Sequence, residues 1–200
     1  MKFEKPRRKN QVSEFWNWFR DVADLLAANV EDSSLLSKLD NRVRTLDPKL
    51  SWELGPGLFK PWQFVISPNL NRGLRKRARE IVARAPVLPA WEFHSARQPK
   101  EWHYQLELGG DKVPVDVSEW TFVLLKYPDG VHEVLLQGKS LPPLSDEERW
   151  QAAAITLESI LGEDMVLDRV DEFELVDKLE PRFAERERPI QHLREAVAGS

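Results

Sequence analysis

The sequence contains no cysteine, so it can form neither a disulfide bond nor a metal site or nucleophile that depends on a thiolate. It also lacks any uninterrupted apolar run of about 18 residues, the length that a membrane-spanning helix needs. The first ten residues are basic but continue directly into an amphipathic segment, which is not the pattern of a secretory signal. We therefore expect a cytoplasmic protein with no membrane partner, and we take a bacterial origin as a hypothesis.

The short motifs of several large enzyme classes are absent as well. No G-x-S-x-G turn, H-E-x-x-H helix or G-x-G-x-x-G loop occurs in the chain. Residues 138–140 read Gly-Lys-Ser, but Glu133 occupies the position of the first P-loop glycine, and two prolines follow Leu141. We therefore expect neither a phosphate loop nor a bound cofactor.

The composition is that of a soluble globular protein, with 31% charged and 42% hydrophobic residues among 200. The formal net charge of −4 hides an asymmetry between the two halves. Residues 1–100 carry 19 Lys and Arg against 11 Asp and Glu, whereas residues 101–200 carry 10 against 22. Two explanations stay open: the halves attract each other, which we favour, or one end of the molecule attracts a charged partner.

Hydrophobic periodicity predicts an α+β fold, in which an antiparallel sheet has helices packed on one of its faces. A hairpin, a helix and a strand occur in this order over 50–95 and again over 120–176, which predicts a repeated architecture. We expect a disordered basic tail over 1–10, a single α+β domain over 11–178, and a C-terminal extension with a short helix over 179–200.

Capping residues indicate where helices begin. One helix is expected to run from Ser33 or Ser34 as N-cap to Leu46. Another begins with a capping box formed by Ser145 and Glu148. Of the eight tryptophans in the chain, those expected in the core are Trp52, Trp62, Trp91, Trp102, Trp120 and Trp150.

Aromatic and polar residues alternate over 91–107, which predicts a hairpin whose turn contains Gln98 and Pro99. Its aromatic face would pack on the core. Its polar face would gather the best metal or acid/base candidates in the chain, namely Glu92, His94, Glu101 and His103. A solvated strand face has the same pattern, so we favour that interpretation and expect no metal.

Two helices offer candidate contact residues for a partner. The first helix, over 13–29, has a wide apolar stripe, and Trp18 and Leu25 fall outside the main part of it. The helix over 71–85 gathers basic side chains opposite its apolar side, at Arg72, Arg75, Lys76 and Arg79. Such a face can bind nucleic-acid phosphates, but it is also the ordinary solvated face of an amphipathic helix. The net negative charge of the chain disfavours a nucleic acid.

Acidic residues are frequent between Glu163 and Glu174. They could hold a cation, but they lack the Asp-x-Asp-x-Asp-Gly spacing of a calcium loop. A solvent-exposed surface is the interpretation that we favour for Glu163, Asp164, Asp168, Asp171, Glu172 and Glu174.

Several stretches resemble an uncharacterised family of bacterial, cytoplasmic α+β proteins of unknown function. They are EFWNWF (14–19), FVISPN (64–69), APVLPAWEF (85–93) followed by ARQP (96–99), and LESILGED (157–164). A broader likeness is to suppressor-of-fused-like and immunity-type domains, which act by binding other proteins. The resemblance implies a protein-binding role and no catalytic residue.

The function that we expect is non-catalytic protein binding through Trp18, Leu25 and the basic helix face. One alternative is a metal-dependent or acid/base hydrolase that uses the polar face of the 91–107 hairpin. The other is nucleic-acid binding through the basic helix over 72–84.

Overall fold

The computed structural model describes residues 6–101, 104–108, 113–139 and 141–199. Contacts divide the chain into two compact units, Met1–Arg97 and Gln98–Ser200, where we expected a single domain over 11–178. None of the helices in the described ranges combines the length and the apolar character needed to cross a lipid bilayer.

Each of the two units contains both helices and strands. The first unit contains α1 (Pro6–Ala28), α2 (Ser33–Leu46), β1 (Ser51–Pro56), β2 (Trp62–Ser67), α3 (Arg72–Val82) and β3 (Trp91–His94). The second unit contains β4 (Gln105–Leu108), β5 (Val113–Asp116), β6 (Thr121–Lys126), β7 (His132–Gln137), α4 (Asp146–Leu161), α5 (Glu163–Arg169), β8 (Val170–Val176), a 3-10 helix (Pro181–Arg186), β9 (Arg188–Pro189), a second 3-10 helix (Ile190–His192) and α6 (Leu193–Ala198).

The first unit builds a three-stranded sheet of order β1-β2-β3. β1 and β2 are antiparallel, with Leu54 opposite Phe64, and residues 57–61 connect them. β3 lies parallel to β2, with Phe93 opposite Phe64. Helix α3 supplies the crossover connection that a parallel pair of strands requires.

Aromatic side chains form the core of the first unit. Phe15, Trp16 and Phe19 of α1 are buried, and their rings contact Phe64 of β2. The indole N–H of Trp16 donates a hydrogen bond of 2.8 Å to the carbonyl of Ile81, which ties α1 to α3. The predicted apolar stripe of the first helix is therefore confirmed.

The second unit builds a four-stranded sheet of order β8-β7-β6-β9 and a separate two-stranded sheet, β4-β5. β6 and β7 are antiparallel on either side of the Pro-Asp-Gly sequence at 128–130, and β8 lies parallel to β7. Helices α4 and α5 connect these two parallel strands. α4 begins with the predicted capping box of Ser145 and Glu148, and it ends at Gly162, whose φ is +83°.

The two larger sheets repeat one topology. In each, an antiparallel hairpin is followed by a helical crossover and by a strand that lies parallel to the second hairpin strand. The predicted α+β fold and its repeated hairpin, helix and strand are therefore confirmed. The sheets are mixed rather than purely antiparallel, because a helical crossover places the next strand parallel to the previous one.

The predicted hairpin over 91–107 is wrong. β3 pairs with β2, whereas β4 pairs antiparallel with β5, where Leu106 lies opposite Val115. Alternation of apolar and polar residues placed β3 correctly, but β4 begins only at Gln105, later than the predicted second strand. The alternation did not identify their neighbours, because a period of two specifies which side chains share a face and not which strand lies alongside.

Two expected helix starts also differ from the structure. The N-cap of α2 is Asp32 rather than Ser33 or Ser34, because the Asp32 carboxylate accepts the amide hydrogen bond of Leu35 at 2.9 Å. α1 begins at Pro6, inside the range 1–10 where we expected a disordered tail. Residues 1–5 lie outside the described ranges.

The expectation for one tryptophan needs correction as well. Trp150 is 50% exposed, although its position in α4 predicted a core residue. Trp102 lies outside the described residues. The segment over 179–199 packs into the second unit, where β9 pairs with β6 and the buried side chains include Leu179, Phe183, Ile190 and Leu193.

Candidate functional site

Of the four polar residues predicted to share a hairpin face, the three that the structure describes do not lie on paired strands. Glu92 and His94 lie on β3 in the first unit, whereas Glu101 is an exposed residue of the second unit. His103 lies outside the described residues. Within the described part of the chain, no group of three or more His, Asp and Glu side chains is arranged to hold a metal ion. The metal or acid/base interpretation loses its geometric basis together with the hairpin.

Glu92 instead binds the backbone of a neighbouring loop. Its carboxylate accepts hydrogen bonds from the amide of Leu58 at 2.5 Å and from the amide of Phe59 at 3.0 Å. His94 Nε2 lies 3.2 Å from the same carboxylate, and the Glu92 side chain is only 10% exposed. Burial raises the pKa of Glu92, but the hydrogen bonds from Leu58, His94 and Phe59 outweigh it, so the net pKa is lowered. The ionised carboxylate therefore holds this loop in place.

The loop before β2 is also tied to the segment before β3. Lys60 Nζ donates a hydrogen bond of 2.8 Å to the carbonyl of Leu88, and the amide of Trp62 donates one of 3.0 Å to the carbonyl of Ala90. At Gly57, a Cβ atom would lie 2.5 Å from the carbonyl oxygen of Lys60, so the turn has no room for a side chain. Both segments lie at the same end of the first sheet, because β2 and β3 are parallel.

Three apolar side chains project into solvent from these two segments. The exposed fraction is 52% for Leu58, 89% for Phe59 and 94% for Val87. We term these three residues the Phe59 surface. Phe59 and Val87 are the most exposed large apolar side chains in the described ranges. Exposed apolar residues on fixed loops are typical of sites that contact other molecules.

The two predicted contact residues of α1 lie in different environments. Trp18 is half-buried against the first-unit core, and the guanidinium carbon of Arg42 lies 4.6 Å from its ring centroid. Leu25 is 53% exposed. Leu25 therefore presents more apolar surface to a partner than Trp18 does.

The predicted basic residues of α3 lie together on one side of the helix. Arg75 is half-buried, and the other three are exposed. They line a shallow depression of about 470 Å³, whose residues are Arg72, Arg75, Lys76, Arg79, Glu80 and Ala83. This lining has a positive net charge.

A second open surface lies along β8 in the second unit. Two depressions of about 480 Å³ and about 410 Å³ share Glu133, Asp171 and Glu172, so they form one continuous groove. We term it the acidic groove. Its other acidic and aromatic lining residues are Tyr127, Asp129, Trp150, Phe173 and Glu174.

Tyr127 is hydrogen-bonded to a carboxylate of the acidic groove. Its hydroxyl donates a hydrogen bond of 2.9 Å to a carboxylate oxygen of Glu133. This bond raises the pKa of Tyr127, and the charge of Glu133, burial, and the charges of Glu172 and Asp171 raise it further.

No protein-family model, curated protein or solved structure matches this chain. The resemblance to a bacterial family and to suppressor-of-fused-like domains therefore stays a prediction. The function has to be argued from the surfaces themselves.

Neither the Phe59 surface nor the acidic groove was predicted as a site. The signal for the first was present in the sequence, because Leu58 and Phe59 occupy a turn between two strands, where polar residues are usual. For the acidic groove, the acidic residues between Glu163 and Glu174 predicted only a solvated surface. One of them, Glu163, is buried. Glu133 and Tyr127 come from the β6–β7 hairpin, and only the pairing of β7 with β8 brings them to the groove.

Proposed function

We propose that this chain is a non-catalytic protein-binding protein and that the Phe59 surface contacts its partner. The observation that carries the proposal is the exposure of Phe59 and Val87 on segments that Glu92 and Lys60 hold in place. An apolar side chain that folding leaves in water is stabilised only when a second molecule covers it.

The free energy gained when a partner buries Phe59 is large enough for a specific contact. Full burial of one phenylalanine side chain stabilises by about 1.5–3 kcal/mol. At about 1.4 kcal/mol per tenfold change in affinity, this corresponds to roughly a tenfold to hundredfold contribution. The loop that carries Phe59 is already fixed, so little conformational entropy is lost when a partner binds.

The environment of Glu92 supports a structural role rather than catalysis. Its oxygens already accept two backbone amides, whereas a general base must be directed at a proton of the substrate. The alternative of a metal-dependent or acid/base hydrolase required His94, Glu101 and His103 on one hairpin face, and that hairpin is not formed.

The contacts predicted from the sequence stay candidates beside the Phe59 surface. Leu25 offers a second exposed apolar side chain. The depression along α3 suits an acidic segment of a protein partner by charge complementarity. Nucleic-acid binding is the alternative use of the same basic face.

Site-specific crosslinking can identify the partner. A photoreactive amino acid is placed at position 59, and in a matched sample at position 25, and each protein is irradiated in a lysate of the source organism. We expect a discrete crosslinked protein from position 59. That protein is then purified, and calorimetry gives its affinity for the wild type, Phe59→Ser and Leu25→Ser.

We expect Phe59→Ser to weaken binding by about tenfold to hundredfold. Its thermal midpoint should match that of the wild type, because the side chain is 89% exposed. The proposal fails if binding survives Phe59→Ser and is lost in Leu25→Ser or in a variant that combines Arg75→Glu with Arg79→Glu. It also fails if position 59 yields no crosslink.

A further inference from the structure

Strand β8 forms an open edge of the second-unit sheet. It stands at the end of the order β8-β7-β6-β9, and among the described strands it pairs only with β7. It is seven residues long, from Val170 to Val176. An edge strand of this length offers a row of backbone groups to which an extended segment can add as a further strand.

Like charges lie directly opposite one another beside this edge. Glu133 of β7 pairs with Glu172 of β8, so their side chains share one face of the sheet, and Glu174 follows two residues later on that face. Like charges at opposed positions destabilise a sheet. Folding alone therefore does not favour this placement, whereas a bound cationic group would stabilise it.

The lining of the acidic groove has a net negative charge. Asp129 and Asp171 add to the three glutamates. In the described part of the chain, no Lys or Arg lines either depression. Lys178 and Arg182 line a neighbouring depression that also contains Glu133 and Glu174. The five carboxylates outnumber these two cations, so the surface stays negative and suits a positively charged segment.

Aromatic rings flank the carboxylates. Tyr127 is 47% exposed and Trp150 is 50% exposed. The Trp150 ring lies 5.8 Å from that of Phe173, at an interplanar angle of 32°. Exposed rings beside carboxylates suit lysine and arginine, because the rings contact the aliphatic stem or the cationic head while the carboxylates pair with the charge.

We propose that the acidic groove binds a lysine- or arginine-rich extended segment of a partner protein, which adds as a strand beside β8. Side chains on one face of such a segment recur every second residue, at a spacing of about 7 Å. Basic residues at alternate positions thus match Glu172 and Glu174, which have the same spacing. Tyr127 lies beside Glu133, on the same face as these glutamates. Trp150 lies beside Phe173, whose side chain is on the opposite face, so the intervening positions of the segment reach Trp150.

Other occupants fit the groove less well. A nucleic acid is repelled by the carboxylates. A metal ion needs several convergent ligands, and the described residues contain no group of three or more that is so arranged. The seven-residue edge fits an extended peptide better than a small cation.

This inference goes beyond the proposed function, because it concerns a different surface. The Phe59 surface is built from residues of the first unit, whereas the acidic groove is built from residues of the second. An experiment can therefore contradict the proposal for one surface and leave the proposal for the other unaffected.

Two fluorescent peptides of about eight residues test the proposal with the full-length chain. One alternates Arg and Thr, and the other has the same composition with all of its Arg residues placed together. Fluorescence anisotropy gives the affinity of each for the wild type, Glu172→Lys, Trp150→Ala and Glu185→Lys. Glu185 is an exposed residue of the same unit outside the groove, so its variant is a charge-matched control.

We expect the alternating peptide to bind more tightly than the clustered one. Glu172→Lys should weaken its binding by at least about tenfold. Trp150→Ala should weaken it less, by about threefold, because the Thr side chains rather than the Arg side chains contact Trp150. Glu185→Lys should change it by less than about twofold at physiological salt, because a distant surface charge is screened. Amide chemical shifts should change along β8 and at Tyr127 and Trp150. The thermal midpoint of Glu172→Lys should not fall, because the opposed pair is removed.

Three results would overturn the proposal. One is an equal loss of binding in Glu172→Lys and Glu185→Lys, which would indicate only a diffuse attraction to the negative surface. Another is equal binding of the clustered and alternating peptides, or shift changes away from β8, since neither fits strand addition. The third is displacement of the peptide by micromolar calcium, which would indicate a cation site instead.

Discussion

Glu92 and Glu101 carry the same side chain and belong to one alternating segment of the sequence, yet they lie in different surroundings. Glu92 holds the amides of Leu58 and Phe59, 34 and 33 residues earlier in the chain, whereas Glu101 is exposed. The residue types correctly indicated groups that can bind protons or cations. What each carboxylate binds depends on which strand lies beside it, and no local pattern contains that information.

Glu92→Gln should destabilise the protein by about 1–2 kcal/mol near neutral pH, because a neutral amide accepts the two backbone hydrogen bonds more weakly than a carboxylate does. Chemical denaturation in urea measures this difference. Glu101→Gln is the matched control and should leave the free energy of unfolding unchanged.

The pH dependence of this difference has a definite sign. The pKa of Glu92 is lowered by folding. Its stabilising contribution is therefore fully present above its unfolded pKa, about 4.3, and is lost as the pH falls through the lower folded value. A wild type that is no more stable than Glu92→Gln at pH 7 would contradict the role assigned to the carboxylate.

His132 should make stability depend on pH in a different range. It is buried on β7, and burial lowers its pKa, as do the nearby charges of Lys126 and Arg169. The folded state therefore binds fewer protons than the unfolded state as the pH falls through about 6.5. Stability should fall between about pH 7.5 and 5.5, with a slope of at most about 1.4 kcal/mol per pH unit.

The variant His132→Phe should remove most of that slope. His192→Gln, at an exposed position, should keep it. Thermal midpoints measured across this pH range compare the three proteins. A slope that persists unchanged in His132→Phe would show that other groups cause it.

At the scale of helices and strands, periodicity and capping chemistry were the most informative signals. The apolar stripe of α1 and the capping box of α4 were both predicted correctly, because each depends on residues close in sequence. The neighbour of β3 was predicted wrongly. Its partner is separated from it by α3, and an antiparallel hairpin and a parallel crossover strand show the same alternation.

The start of α2 provides a test at this scale. Asp32→Ala should destabilise the protein by about 1 kcal/mol, because the side chain accepts the amide hydrogen bond of Leu35 at the helix N-terminus. Ser33→Ala should have a much smaller effect, because Ser33 is the first helical residue and not the cap. Urea denaturation distinguishes the two. The opposite ranking would place the cap at Ser33, as the sequence pattern suggested.

At the scale of the whole molecule, the charge asymmetry and the division into units nearly coincide. The net charge is positive over 1–100 and negative over 101–200, and the boundary between units lies between Arg97 and Gln98. The positive half contains the Phe59 surface and the basic face of α3, whereas the negative half contains the acidic groove. The sequence predicted the asymmetry and the repeated topology, but not the boundary between units.

The two proposed contacts should act independently, because no residue belongs to both. Phe59→Ser should bind the alternating Arg–Thr peptide with the affinity of the wild type. Glu172→Lys should bind the partner crosslinked at position 59 with unchanged affinity. Calorimetry on the two single variants and on the double variant measures any coupling. A loss of both interactions in either single variant would mean that the two surfaces are one site.

The central claim is that β3 lies parallel to β2, so that Glu92 fixes the loop that presents Phe59. Amide hydrogen exchange at Leu58 and Phe59, measured by NMR at neutral pH in the wild type and in Glu92→Gln, tests it most directly. We predict that both amides are protected in the wild type and lose that protection in the variant, while the amides of Phe64 and Ile66 on β2 stay protected. Exchange of Leu58 and Phe59 in the wild type at the rate of unprotected loop amides would contradict the claim.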